Sequence, residues 1–190
     1  MSPLTCSHKR EIRQLWDVAV TYWELAKATM KDMPDEHMLL TCDKISEYYD
    51  AAVPTGSSEK RPNILLAHLS SAAIRLVTID ERLEKAGCRV SPKYLALYTS
   101  SSPADFEAWI NSNFADFVHQ ILRDNAAHIE EANDRDANKE KLYRARQKVI
   151  LGKTLREIVN AFDAVMKKFT PELSKRAVIP VPSSSRTRVK

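Results

Sequence analysis

The chain has 190 residues, 44% of them apolar and only three of them glycine, and 29 Lys and Arg against 25 Asp and Glu give a formal net charge of +4. That length suits one hydrophobic core, and no window approaches eighteen uninterrupted apolar residues, which argues against a membrane span. The charged N-terminus MSPLTCSHKREI lacks the apolar segment of a signal peptide, and Cys6, Cys42 and Cys88 are too few and too scattered for a disulfide framework or a thiolate metal site. An intracellular, cytoplasmic setting is therefore expected.

The first predicted helix runs from Ser7 to Lys31. Ile12, Leu15, Trp16, Ala19, Tyr22, Trp23, Ala26 and Met30 fall on one broad face of it. Asp32 and Pro34 then predict a break and a new start, and Met38, Leu39, Cys42, Ile45, Tyr48 and Tyr49 carry a second helix to about Ala52. The polar stretch Pro54 to Pro62 reads as an exposed connection. Leu65, Leu69, Ala72, Leu76, Ile79 and Leu83, spaced alternately by four and three, give the strongest helical signal in the chain, and Gly87 supplies a left-handed stop.

Ser91 and Pro92 predict the start of a short helix reaching Tyr98. Ser102, Pro103 and Asp105 repeat the start signal, and Phe106, Trp109, Ile110, Phe114, Phe117, Ile121 and Leu122 form the most aromatic face in the sequence, continued by Ala126 and Ile129. Glu130 to Lys141 is polar and reads as either a bend or an exposed continuation. Leu142, Val149 and Ile150 resume the pattern, which Gly152 weakens and the Thr154–Glu157 capping box restarts. Leu155, Ile158, Val159, Phe162, Val165, Met166 and Phe169 form the last stripe, which Thr170 and Pro171 end, leading into one further turn.

The expected fold class is therefore all-α: a multi-helix bundle over residues 1–175 of about five substantial helices plus one or two short ones. A flexible basic tail is expected over 176–190. From Lys167 onward seven basic residues face one acid, a net of +6, which leaves −2 for residues 1–166. Such an end can approach an acidic surface without the whole domain doing so.

No pattern for catalysis, cofactor or metal binding emerges. Among His8, His37, His68, His119 and His128 there is no Glu-x-x-His pair, and the nine-residue step from His119 to His128 turns the two imidazoles to opposite sides of a helix. Gly-x-Ser-x-Gly is absent, neither Ser70 nor Ser71 sits in a strand-to-helix elbow, and Gly56, Gly87 and Gly152 are too isolated to cradle a phosphate.

Two basic features remain. The segment 139–156 holds Lys139, Lys141, Arg144, Arg146, Lys148, Lys153 and Arg156, with Lys141, Arg144 and Lys148 on one helical face. Tyr94, Tyr98 and Tyr143 are the aromatics expected to be more open to a base, Tyr143 first because it lies within this segment, whereas Trp16, Trp23, Trp109, Phe114 and Phe117 are expected in the core. The tail adds Arg186, Arg188 and Lys190. These residues are the candidate contacts to nucleic acid or to an acidic partner.

The sequence favours a non-enzymatic helical scaffold or assembly module, with another protein or a second copy of itself as partner. The alternative is a nucleic-acid-binding or packaging protein that contacts the backbone of single or double strands. High salt should weaken that binding strongly and leave an apolar interface intact.

Overall fold

The computed structural model describes residues 4–45, 61–127 and 137–180, and all the secondary structure of length in them is helical. In chain order the helices are α1 (Cys6–Lys31), α2 (Asp35–Met38), α3 (Arg61–Lys85), α4 (Leu95–Ser100), α5 (Pro103–Ser112), α6 (Phe114–Ala127), α7 (Ala137–Leu151) and α8 (Leu155–Lys175). The all-α bundle expected from periodicity is the fold observed, with six helices of ten residues or more among those described.

Four long helices enclose the main core. α1 lies along α3, α3 along α6, and α6 along α8. The ring closes through aromatic contacts, Trp16 with Phe169 at 6.3 Å and Trp23 with Phe162 at 5.4 Å between ring centres. These pairs run α1 antiparallel to α8, and Glu11 with Arg82 at one end and Arg61 with the Asp32 carbonyl at the other run it antiparallel to α3. The six stripe positions Leu65, Leu69, Ala72, Leu76, Ile79 and Leu83 are all buried, as are Trp16, Trp23, Phe114 and Phe117, while Trp109 is half-buried against the core. α5 and α7 pack on each other and on the outer side of α6.

Several helix ends carry the chemistry their residues announce. Ser102 accepts from the Asp105 amide with Pro103 in the first turn, and Thr154 and Glu157 exchange side-chain and backbone bonds in a full capping box. Gly87 is left-handed, and the amides of Gly87 and Cys88 return to the carbonyls of Glu84 and Leu83, closing α3 in a Schellman motif.

Other ends depart from expectation. α1 ends at Lys31 with Asp32 as its C-cap, and α2 is a single turn capped by Pro34 without a side-chain bond, so the second helix expected from Pro34 onward is interrupted after Met38 and helix resumes only at Lys44; its expected course to Ala52 lies outside the described residues. The interruption is made by a non-local pairing. Cys42 donates to the Lys153 carbonyl, Asp43 to that of Leu151, and Leu155 to that of Leu40, pinning residues 40–43 to the α7–α8 turn. Residues 46–60, which include Tyr48, Tyr49 and most of the expected polar connection, lie outside the described residues; Pro62 is already buried in α3. The aromatic segment expected as one helix divides at Asn113, whose side-chain amide donates to the Trp109 carbonyl and so ends α5. α8 passes through Pro171 to Lys175, the further turn being tied by buried Leu173.

The expected tail boundary at 175 also moves. Val178 is buried and Ile179 packs against the core, so residues 176–180 belong to the bundle; 181–190 lie outside the described residues. The turn that brings Val178 inward is a second Schellman motif, with Ala177 and Val178 amides bonding the Ser174 and Leu173 carbonyls. Here the left-handed position is filled by alanine at φ 51°. A Cβ in that region is strained where glycine is not. Ala177→Gly is therefore expected to raise stability by about 0.5–1 kcal/mol after the flexibility glycine adds to the unfolded chain. The check is a urea midpoint that rises with unchanged slope.

One expectation about membranes needs amending. α3 is long and apolar enough to cross a bilayer by length and composition, although its apolar run is not uninterrupted. Its inner face forms the bundle core described above.

Candidate functional site

Three places carry groups that could act: the polar cluster residues inside the bundle, the basic face of α7, and the outer flank of α1 and α3.

The interior holds two polar clusters. In the first, Asp80 of α3 and His119 of α6 are both wholly buried, with His119 Nε2 3.2 Å from Asp80 Oδ2. The other carboxylate oxygen, Oδ1, accepts from the backbone amides of Val90 and Ser91 at 2.9 and 3.3 Å. This corrects the expected role of Ser91. Its amide is drawn inward by Asp80, so it caps no helix, and α4 begins four residues later at Leu95.

Burial, together with the nearby cations Arg89 and Arg123, lowers the His119 pKa despite the Asp80 carboxylate. The neutral ring donates its Nε2 hydrogen to Asp80 and packs edge-on to Phe169. The sign of the pH effect follows. A histidine whose pKa is depressed in the folded state binds its proton more readily when unfolded, so stability falls as pH drops below its ordinary value of 6.5. Denaturation at pH 7.5 and 5.5 should show this loss in the wild type and a smaller one in His119→Gln, with a slope per proton no steeper than about 1.4 kcal/mol per pH unit.

The second cluster joins Tyr94, Asp124 of α6 and Arg146 of α7. Arg146 donates to Asp124 Oδ2 at 2.7 Å and to the Tyr94 hydroxyl at 3.1 Å, and Tyr94 donates to the same carboxylate. The guanidinium also lies over the rings of Tyr98 and Tyr143, 5.5 and 5.0 Å from their centres. Burial raises the Tyr94 pKa and keeps the phenol protonated; burial opposes the Arg146 charge too, but Tyr94 and Asp124 outweigh it and raise its pKa. Arg123 adds an ion pair with Asp124 at 2.9 Å, out of line for a hydrogen bond. Both clusters tie helix to helix and are closed to solvent.

The basic face of α7 is less uniform than its spacing suggests. Lys139, Lys141, Arg144 and Lys148 are exposed, as the sequence predicts. Arg144, however, pairs with Glu140 at 2.6 Å and Lys148 with Glu107 at 3.0 Å. Lys153 sits over Phe114 and 3.7 Å from Glu157, and Arg156 reaches Asp35 at 2.7 Å. Two members of the set are corrected outright. Tyr143 and Arg146 are 2% and 6% exposed, turned inward by their positions beside Leu142, Ala145 and Val149, and Tyr143 cannot stack on a base. Arg186, Arg188 and Lys190 lie outside the described residues.

A groove of about 490 Å³ runs beside α7, lined by Glu107, Arg144, Lys148 and Lys153 and by Asp43 from the pinned turn. Its charges are of both signs, which suits a phosphate backbone poorly. Among the described residues, no group of three or more His, Cys, Asp or Glu could hold a metal ion.

No protein-family model matches the chain, and neither the curated proteins nor the solved structures contain a match to it.

The outer flank of α1 and α3 differs from both places above. On α1 the outward strip from Gln14 through Val18, Thr21, Leu25 and Thr29 carries no carboxylate, amine or guanidinium, and on α3 there is no Asp, Glu, Lys or Arg between Arg61 and Arg75. Val18, Leu25 and Ile64 are 40%, 44% and 42% exposed. The two strips meet where Tyr22 contacts His68, and Arg75 at their edge lies over the Tyr22 ring. Sequence reasoning missed this flank as it missed Asp80. The signal was present in the charge-free run 62–74 and in the place of Asp80 within the stripe, four residues after Leu76 and three before Leu83.

Proposed function

We propose that this protein is a non-enzymatic helical scaffold that works by assembly with other protein. The supporting observation is the charge-free outer flank of α1 and α3, which exposes Val18, Leu25 and Ile64 in a chain where 28% of residues are charged. Depletion of charge around exposed apolar side chains is the compositional mark of an interface centre. The buried ionisable groups support the same reading, because Asp80, His119, Asp124 and Arg146 join helices and face no solvent.

The nucleic-acid alternative keeps one favourable observation, the exposure of Lys139, Lys141, Arg144 and Lys148 along α7. Carboxylates already pair with two of those four. Light scattering coupled to size exclusion distinguishes the readings on nucleic-acid-free protein at low and high salt, with and without a random single strand. A multimer that persists in high salt without the strand is the expected result. A monomer whose mass changes only when the strand is added at low salt would overturn assembly and favour the basic face of α7.

A further inference from the structure

We infer that the end of the bundle where α1 begins and α3 and α8 finish is a basic pole that docks on an anionic lipid surface, a contact that goes beyond the assembly reading and does not depend on it.

Three pairings bring those ends together. Glu11 meets Arg82 at 2.6 Å, Trp16 stacks on Phe169, and the Arg176 guanidinium bonds the Cys88 thiol. The segments that meet there, 4–13, 81–93 and 172–180, hold nine Lys and Arg against four Glu, a net of +5. Residues 181–190 add +3, so in a chain of net +4 all the other residues together carry −4. The charge is thus divided between a positive pole and a negative remainder, and a negative surface both attracts and orients such a molecule.

The cations at the pole are available. Arg10, Arg13 and Lys85 are exposed, and among the described residues no carboxylate pairs with Lys9, Arg10 or Lys85. Arg13 comes only within 4.0 Å of Asp17. The first turn of α1 holds no acid and carries Lys9, although the positive end of a helix favours anions. An anion arriving from outside relieves that repulsion.

Shape selects the occupant. The unpaired cations stand on separate helix ends, Lys9 and Arg10 at the start of α1 and Lys85 at the end of α3, so they form a patch and not a line. A plane of headgroups meets all of them at once, whereas a single strand or an acidic peptide crossing the pole tracks only some. The contact is with the headgroups and not with the acyl layer, because the exposed large apolar side chains, Val18, Leu25, Leu39, Ile64 and Leu151, all lie outside these three segments. Each Lys or Arg held near an anionic bilayer strengthens binding about fivefold.

Flotation of the full chain with phosphatidylcholine vesicles, with and without phosphatidylserine and at low and high salt, tests the pole. Arg10→Glu/Lys85→Glu reverses two of its cations, and Lys139→Glu/Lys141→Glu makes the same charge change on α7; circular dichroism first matches both to wild type. The expected result is wild-type binding to phosphatidylserine vesicles alone, released by high salt, weakened at least about 30-fold in the pole variant and no more than about threefold in the α7 variant. If the reversed pole does not fold, Arg10→Gln/Lys85→Gln removes the charges alone and should lose affinity in the same direction. Equal losses in the two double variants would show attraction by net charge and overturn the pole. Equal binding to phosphatidylcholine alone would overturn the headgroup contact. Wild type that ignores the vesicles overturns the lipid surface, and a pole-dependent shift of a random single strand or of polyglutamate would then make nucleic acid or an acidic protein the occupant.

Discussion

Replacing Arg146 with methionine is expected to destabilise the protein by about 3–5 kcal/mol, because the change leaves the buried Asp124 carboxylate without its in-line charge partner. Methionine fills much of the space of the arginine stem but replaces neither the 2.7 Å bond to Asp124 nor the contacts with the Tyr98 and Tyr143 rings. Arg123 softens the loss only in part, since its approach to Asp124 is poorly aligned for a hydrogen bond. With total stabilities near 5–15 kcal/mol, such a loss is a large fraction of the whole.

The decisive comparison is the triple variant Tyr94→Phe, Asp124→Leu, Arg146→Met. Removing the whole cluster leaves no buried charge and no orphaned phenol, so it is expected to recover at least half of the single-site loss. Urea denaturation of the single and triple variants measures the difference. A triple variant as unstable as the single one would show that the aromatic and helix packing around Arg146, rather than its charge pairing, is what the fold needs.

Asp80→Ala is the second large effect, expected at about 3 kcal/mol or more. The substitution removes the acceptor for His119 and for two backbone amides at once, and each orphaned buried donor costs about 1–3 kcal/mol. Asp80→Asn keeps one acceptor oxygen and should lose less. The informative readout is local: hydrogen exchange at the Val90 and Ser91 amides should accelerate in Asp80→Ala more than exchange in the middle of α1. Equal acceleration everywhere would mean that Asp80 serves only global stability and does not anchor the turn between α3 and α4.

Both effects concern residues that periodicity alone could not assign. The stripe from Leu65 to Leu83 was legible because each helical turn repeats the same local signal, and all six of its members are buried. Thr154 with Glu157 was legible for the same reason, since a capping box lies within four residues. Leu39 and Cys42 continued an apolar pattern yet residues 39–43 are not helical, because residues 40–43 take their hydrogen bonds from the α7–α8 turn more than a hundred positions away. Ser91 looked like a cap until a carboxylate eleven residues back claimed its amide. Tyr143 and Arg146 read as surface because the segment is rich in lysine and arginine, whereas the pocket that holds them is built from Tyr94, Tyr98 and Asp124. Sequence spacing carries helix faces well and carries partners on other helices poorly.

The outer flank shows the same division. The charge-free run 62–74 and the apolar positions of α1 were plain in the sequence, but which apolar residues are surplus depends on how the helices pack. Ile12, Trp16 and Ala19 fill the core, while Val18 and Leu25, set to one side of the same helix, do not.

The central claim is that the protein works by assembly through its outer flank, and the most direct measurement is the mass in solution of wild type and of Leu25→Glu/Ile64→Glu by light scattering at matched concentration in high salt. Both sites are exposed, so the variant should keep wild-type helicity and melting temperature. Desolvating the introduced carboxylates in an interface through this flank is expected to weaken association roughly 100-fold or more. The expected result is a multimer for the wild type and a single-chain mass for the variant; an unchanged multimer in the variant, with its helices intact, would contradict assembly through this flank.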